Sequence, residues 1–198
     1  PLCKDLIENI CSTANDFYYL GYGINYGTAL EGALKIKEVF YRHCEGMYSS
    51  EFKHGPLSIV EEGYPIIFVT CKEDSQMVLS HINEITCRKG YVITISPYLS
   101  EYEKNSTKII PLPDAEKYFT PFIDTIATQL IAYYASVNDG LNPDFPRNIS
   151  KTLTVDWDIK MNTFLRKDGR KSDELRKVEI IPNYLEFANG SALMKIGS

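Results

Sequence analysis

The chain has 198 residues and a formal charge of −5, with 44% hydrophobic and 24% charged residues. This composition is typical of a soluble globular protein and excludes disorder of the whole chain, because enough apolar surface is present to form a core. No apolar run approaches the ~18 residues that a membrane-spanning helix needs, and the N-terminus lacks the layout of a signal peptide. Because the chain begins with Pro1 and not Met, we expect its true start to lie upstream.

Five cysteines are scattered along the chain without a CxxC pair. An odd number of widely spaced cysteines indicates reduced thiols, so we predict a cytoplasmic protein. His43 and Cys44 are adjacent and His54 is nearby, but they lack the ligand spacing of a zinc site, and we expect no bound metal.

Charge is distributed unevenly. Residues 160–177 contain seven basic and three acidic residues, a local charge of +4 in an otherwise acidic chain. With the change of composition after Trp157, this asymmetry predicts two units of different origin. We predict a first domain over 1–156, a junction over 157–160 and a second unit over 161–198.

Hydrophobic periodicity predicts alternating helices and strands. In chain order they are a helix over 1–17, a strand over 17–20, a helix over 28–43 with Thr28 as a possible cap, a polar loop or short helix up to His54, a strand over 64–70, a helix over 74–88, strands over 91–96 and 108–112, a helix over 119–137, and two strands over 177–181 and 192–196 that could pair. This alternation predicts an α/β fold, a doubly wound parallel sheet with flanking helices, followed by a short β-rich appendage.

Ligands of such sheets bind beyond the carboxyl ends of the strands, which are marked here by Gly21–Gly27 and the loop after Thr70. The segment GYGINYG follows a strand and precedes a helix, as a dinucleotide fingerprint does, but Tyr26 stands where the third glycine belongs. We interpret it as a tight turn and predict no nicotinamide site.

Glu31, Lys35 and Glu38 are spaced i, i+4, i+7 and therefore share one face of the predicted helix. Taken singly they are typical of a solvated face with an ordinary ion pair, and His54 and Lys151 are typical of exposed loop residues. Together they are more specific, because all five occur in sequence blocks that resemble a known family.

Three blocks carry a family resemblance, namely ALEGALKIKE at 29–38, EFKHGPL at 51–57 and PRNISKTLTVD at 146–156. In this order and spacing they resemble the second sugar isomerase (SIS) domain of glucosamine-6-phosphate synthase, the glutamine–fructose-6-phosphate aminotransferase family. The last block separates this family from other SIS domains. The resemblance covers residues 1–156 and implies an SIS-type fold.

The resemblance implies conversion of fructose 6-phosphate and glutamine to glucosamine 6-phosphate and glutamate, the first step of amino-sugar synthesis, with no cofactor. Lys151 would form a Schiff base with the open-chain ketose, and Glu38 would move a proton between C1 and C2 with the help of Lys35. His54 would assist ring opening from the neighbouring subunit of a homodimer, and Glu31 would support substrate binding. The family's glutaminase domain and first SIS domain, which carries most of the phosphate-binding loop, have no counterpart here, so we expect the chain alone to be inactive.

The second unit shows another resemblance. Met161, RKDGR at 166–170, DELR at 173–176 and GSA at 190–192 resemble the opening of a ribonuclease PH-type exoribonuclease. That family's catalytic residues lie further downstream, so we expect no nuclease activity and at most weak electrostatic affinity for RNA. A solvated basic tail is the alternative interpretation. A stop codon read as Trp157, a gene fusion or an assembly artefact would each produce this junction.

Two other functions stay open for the first domain. An SIS-type deaminase or isomerase of a related sugar phosphate would use the same residue types, and a non-catalytic sugar-phosphate sensor would keep the fold without the chemistry. An RNA-binding protein is a third hypothesis, which depends only on residues 160–198.

Overall fold

The computed structural model describes residues 4, 14–97, 99–149, 169–170, 176–182, 184–185 and 190–197. Contacts divide the chain into two compact units, 1–150 and 151–198, and each is described by itself. The domain boundary predicted at residue 156 lies outside the described residues and stays a prediction.

The first unit is built on a five-stranded parallel sheet with the strand order β2-β1-β3-β4-β5. Its strands are β1 (Asp16–Gly21), β2 (His43–Tyr48), β3 (Pro65–Val69), β4 (Tyr91–Ser96) and β5 (Lys108–Pro111). β3 is buried along its whole length, which is why its sequence is a continuous apolar run. The chain leaves β1 for β2 on one side and then crosses to β3 on the other, so the sheet is doubly wound, as predicted.

Helices cover both faces of this sheet, which makes a three-layer arrangement. They are α1 (Asn25–Lys35), α2 (Ser75–Thr86), the short α3 (Leu99–Tyr102) and α4 (Thr120–Asn138). Alternate strand residues face opposite layers: Tyr19 and Ile67 pack with the side of α1 and α4, whereas Leu20 and Ile66 pack with the side of α2. Two hydrophobic clusters therefore hold the unit together, one on each face.

The helix predicted over 28–43 is wrong at both ends. The helix begins at Asn25, and Thr28 is buried within it and does not cap it. After Lys35 the helix widens into a π-helical turn over Ile36–Phe40, and Tyr41 adopts a left-handed backbone conformation with φ 62° that ends it.

Strand β2 follows this turn at once and was missed by the sequence analysis. Within β2 only Cys44 is fully buried, because the strand lies at the edge of the sheet. A strand with a single buried side chain has neither an apolar run nor a clear alternation, so periodicity could not find it.

The other predicted elements agree with the structure to within two residues wherever it describes them. Residues 16 and 17 belong to β1 and not to the predicted first helix, most of which lies outside the described residues. Short 3₁₀ turns lie at Phe52–His54, Pro56–Ile59, Lys72–Asp74 and Lys117–Phe119. None of the helices that the structure describes is both long and apolar enough to cross a membrane.

The second unit contains two antiparallel strands, β6 (Val178–Pro182) and β7 (Ala192–Ile196), with Val178 opposite Ile196. This pairing confirms the two late strands of the sequence analysis. Most of their side chains are exposed, so the hairpin itself buries little apolar surface.

Candidate functional site

Glu31, Lys35 and Glu38 lie together, as their spacing predicts. Lys35 Nζ is 3.4 Å from Glu31 Oε1 and donates a hydrogen bond to Glu38 Oε2. The hydrogen bond to Glu38 is the main reason why the pKa of Lys35 is raised, and the neighbouring carboxylates add to it. All three side chains keep partial contact with solvent. The arrangement presents a protonated lysine between two carboxylates, which can accept, hold and return a proton.

Glu38 lies within the π-helical turn. Its geometry is set by the hydrogen bond from Tyr41 N–H to Ile36 O, five residues back, at 3.1 Å. Such turns are often found at functional sites because the extra residue redirects the side chains around it. Tyr41, directly after the turn, has a left-handed backbone conformation, which is uncommon for residues other than glycine.

An open cavity of about 360 Å³ lies beside Glu38. It is lined by Lys37, Glu38, Tyr41, Arg42, His43, Arg147, Asn148 and Ile149. The guanidinium carbon of Arg147 lies 4.0 Å from the centre of the Tyr41 ring, and Arg147 N–H donates to Tyr41 Oη at 2.8 Å. The first residues of the PRNISK block are therefore attached to the π-helical turn that carries Glu38.

The carboxyl ends of the strands form a different edge of the sheet. Gly21 ends β1, and a side chain there would meet Asn25 O at 2.4 Å, so the turn into α1 requires glycine at this position. Gly23 has φ +54° and donates its N–H to Tyr48 Oη at 3.1 Å. These contacts agree with the interpretation of GYGINYG as a tight turn.

His54 lies in a 3₁₀ turn that follows β2, whereas Glu38 lies just before β2. The six residues of β2 separate these two positions by roughly 17 Å along the strand, at about 3.3 Å per residue. His54 is exposed, and in the part of the chain that the structure describes it has no hydrogen bond or ion pair with Glu31, Lys35 or Glu38. Within one chain, the structure therefore does not bring His54 and Glu38 together.

The loop that carries His54 is nevertheless held firmly at its base. Phe52 is buried with its ring centre 4.9 Å from that of Tyr18. Ser49 N–H donates to Gly21 O at 2.9 Å, and Ser49 Oγ lies 2.9 Å from His81 Nδ1. Burial lowers the pKa of His81, which favours its neutral form.

Lys151 lies outside the described residues, so its predicted role is untested. Three further pairs were not predicted from the sequence: Ser49 with His81, Asn25 with Asp124, and Tyr41 with Arg147. Of these three pairs, only Tyr41 with Arg147 includes a residue from a sequence block that the family resemblance had singled out, the PRNISK block.

The cysteines and the potential metal ligands among the described residues do not indicate a further site. Burial raises the pKa of Cys71 to about 12 and that of Cys44 to about 12, so neither thiol ionises at neutral pH. Cys87 is exposed and free. No three His, Cys, Asp or Glu side chains among the described residues are grouped so that they could hold a metal ion.

Comparison with known proteins shows which family the chain resembles. The sequence profile of the SIS domain matches residues 11–138. The glutamine–fructose-6-phosphate aminotransferase (isomerizing) of Pyrococcus horikoshii is 40% identical over 157 residues, and that of Aquifex aeolicus is 41% identical over 140 residues. These matches cover 77% and 70% of this chain but only 26% and 24% of the relatives, so the chain spans about a quarter of their length.

A solved structure gives the same result. The C-terminal domain of glucosamine-fructose-6-phosphate aminotransferase from Francisella tularensis superposes with a TM-score of 0.64 at 30% identity, covering 71% of this chain and 40% of that one. The profile match includes every strand of the parallel sheet and all four helices described here. The chain therefore belongs to the SIS domain family.

Proposed function

We propose that this chain supplies the second SIS domain of an enzyme that makes glucosamine 6-phosphate from fructose 6-phosphate and glutamine. The observation that carries the proposal is the Glu31–Lys35–Glu38 set, of which Glu38 lines a cavity that is also lined by the start of the PRNISK block. The names of the relatives support the same activity.

The proposed chemistry needs a proton carrier at the C1–C2 bond of the open-chain sugar. Glu38 takes the proton from one carbon and returns it to the other, while Lys35 holds the carboxylate in place and shares the proton relay. The amine of Lys151 attacks the C2 ketone and forms an imine with loss of water, which makes the neighbouring proton more acidic. Glu31 keeps Lys35 oriented and supports the substrate.

The distance between His54 and Glu38 along β2 supports a second element of the proposal. His54 would act on the sugar ring bound by the neighbouring subunit, so the enzyme would work as a homodimer. The glutaminase domain and the first SIS domain would come from the part of the enzyme that this chain does not cover. We further propose that the enzyme is cytoplasmic and uses no cofactor.

Borohydride trapping tests the Schiff base directly. The chain is mixed with saturating fructose 6-phosphate and sodium borohydride, which reduces an imine to a stable secondary amine, and the modified lysine is located by peptide mass spectrometry. We expect an adduct on Lys151 in preference to all other lysines, and its loss in Lys151→Arg. Labelling spread evenly over the lysines of wild-type protein would contradict a dedicated carbonyl-binding lysine.

For the second unit, we infer that residues 161–198 derive from the start of a ribonuclease PH-like protein and have no nuclease activity. The sequence blocks after Met161 support this, and the hairpin of β6 and β7 is compatible with it. Binding of single-stranded RNA, measured at increasing salt, tests the weak electrostatic affinity. Tight binding that does not weaken with salt would contradict it.

A further inference from the structure

Two residues that line the cavity beside Glu38 have an uncommon backbone conformation. Tyr41 has φ 62° and Asn148 has φ 63°. In the part of the chain that the structure describes, Lys89 is the one other non-glycine residue with a positive φ. Glycine or asparagine would adopt this conformation more readily than a tyrosine does. Strained residues cluster at functional sites, and the Tyr41 side chain makes contacts that neither of those smaller residues could make.

The Tyr41 side chain contacts the PRNISK block with both its hydroxyl and its ring. Arg147 N–H donates to Tyr41 Oη at 2.8 Å, and the guanidinium carbon of Arg147 lies 4.0 Å from the centre of the Tyr41 ring. One residue of the block is thus held by its main chain through a hydrogen bond and by its side chain through a cation–π contact. Either contact alone would leave the segment freer to rotate.

Arg42, the next residue in the chain, holds the other end of the same connection. Its Nη2 donates to Oδ2 of Asp139 at 3.0 Å, and Asp139 directly follows α4. The connection from α4 to the PRNISK block is therefore attached to Arg42 at its start and to Tyr41 at its end. Both attachments come from the two residues that follow the π-helical turn, so the position of the block depends on that turn.

The positions of the two proposed catalytic groups in the sequence give this contact a chemical meaning. Glu38 comes three residues before Tyr41, and Lys151 comes four residues after Arg147. Because four residues of chain reach at most about 14 Å, holding Arg147 limits how far Lys151 can lie from it. In the proposed reaction Glu38 and Lys151 act on neighbouring carbons of one sugar. Small errors in the alignment of such groups lower the rate strongly.

We propose that Tyr41 is a positioning residue, which holds Arg147 and thereby aligns the lysine of the PRNISK block with the carboxylate of Glu38. The inference rests on the proposed function, from which the roles of Lys151 and Glu38 are taken. Tyr41 acts only through these neighbours and exchanges no proton with the sugar.

The first experiment separates alignment from binding. It uses a chimera in which this chain replaces the matching region of the Pyrococcus horikoshii relative, and it measures glucosamine 6-phosphate formation at varied fructose 6-phosphate. Tyr41→Asn removes both contacts and should lower kcat at least about tenfold, with KM changed less than about threefold. Tyr41→Phe keeps the ring under the Arg147 guanidinium, so its kcat should fall by only about threefold.

Two controls separate positioning from a merely structural role. Asparagine accepts a left-handed backbone, so Tyr41→Asn should fold with an unfolding midpoint close to that of the wild type. If Tyr41 only stabilised the fold, the folded variant would keep its full kcat. Tyr118→Phe is the matched control, because Tyr118 is an exposed tyrosine in the turn before α4, and its kcat should be unchanged.

Hydrogen exchange in the 198-residue chain tests the contact itself, independently of activity. In Tyr41→Phe the amide of Arg147 loses its acceptor and should exchange at least about fivefold faster, whereas the amides of β1 should stay as slow as in the wild type. An unchanged Arg147 amide, or an active chimera whose kcat does not respond to Tyr41→Asn, would overturn this inference and leave the proposed function standing. A chimera that is inactive with Tyr41 intact would overturn both.

Discussion

Asn25 donates a hydrogen bond from Nδ2 to Oδ2 of Asp124, and both side chains are inaccessible to solvent. Asn25 begins α1 and Asp124 lies in α4, so this bond joins the two helices that cover one face of the sheet. Burial raises the pKa of Asp124 to about 7, against the opposing effect of the hydrogen bond. Among the described residues, Asn25 Oδ1 has no hydrogen-bond partner. A protonated Asp124 has a hydrogen to donate, which a carboxylate lacks.

The first prediction concerns the pH dependence of stability. Because the pKa of Asp124 is higher in the folded protein than its usual 3.8, the folded state keeps a proton that the unfolded chain has released. The stability from this group is present below about pH 4 and is lost as the pH rises through 7, by up to about 4 kcal/mol. Asp124→Asn stays neutral and should lose less stability than the wild type between pH 5 and pH 8 in urea unfolding. Parallel pH profiles for the two proteins would show that Asp124 ionises normally.

The second prediction concerns Glu38 and separates an enzyme from a sensor. The assay uses a chimera in which this chain replaces the matching region of the Pyrococcus horikoshii relative. Glu38→Gln should lower the rate of glucosamine 6-phosphate formation at least about 100-fold, because a positioned general base is lost. Fructose 6-phosphate binding should change little, since the amide keeps the shape of the side chain.

Glu61→Gln is the control for this experiment, because Glu61 is an exposed carboxylate in the loop before β3. It should leave the rate unchanged. If the chimera binds fructose 6-phosphate and turns nothing over even with Glu38 intact, the sensor hypothesis is favoured instead.

Much of the fold could be predicted because its signals are local. The runs at Pro65–Val69 and Tyr91–Ser96 are buried on both faces, and such strands consist almost entirely of apolar residues. The grouping of Glu31, Lys35 and Glu38 follows from helical periodicity alone. β2 and the π-helical turn could not be predicted, because an edge strand has one buried side chain and the turn depends on what packs around Tyr41.

The contacts that could not be predicted join residues that are distant in the sequence. Asn25 and Asp124 are 99 residues apart in the sequence, and Tyr41 and Arg147 are 106 apart. A single sequence carries no periodic signal for such pairs. Their partners become visible only when the helices have packed on the sheet.

The third prediction concerns the base of the His54 loop. Ser49→Ala leaves His81 Nδ1 buried without its partner and should cost about 1–3 kcal/mol of unfolding free energy. Amide hydrogen exchange should become faster in residues 49–54 and stay slow in β3. Ser50→Ala is the control: Ser50 is more exposed and its Oγ makes only a 3.4 Å contact with Glu51, so stability should hardly change. Equal effects of the two substitutions would show that the hydrogen bond to His81 does not anchor this loop.

The fourth prediction compares two glycines: Gly46 in β2, which lies against α1, and Gly27, which lies within α1. A Cβ at Gly46 in β2 would lie 2.7 Å from Leu30 Cα and 3.0 Å from Ala29 O, both backbone atoms of α1. Gly46→Ala must therefore push α1 away from the edge of the sheet, and we expect a loss of about 1–3 kcal/mol. Gly27 lies within α1, and a methyl group at this position would meet no neighbouring atom within 4 Å, so Gly27→Ala should gain about 0.5–1 kcal/mol from helix propensity. Urea unfolding of both variants measures the difference. A tolerated Gly46→Ala would mean that α1 and β2 are less closely packed than their backbone distance indicates. The position of Glu38, in the π-helical turn that follows α1, would then be less firmly fixed.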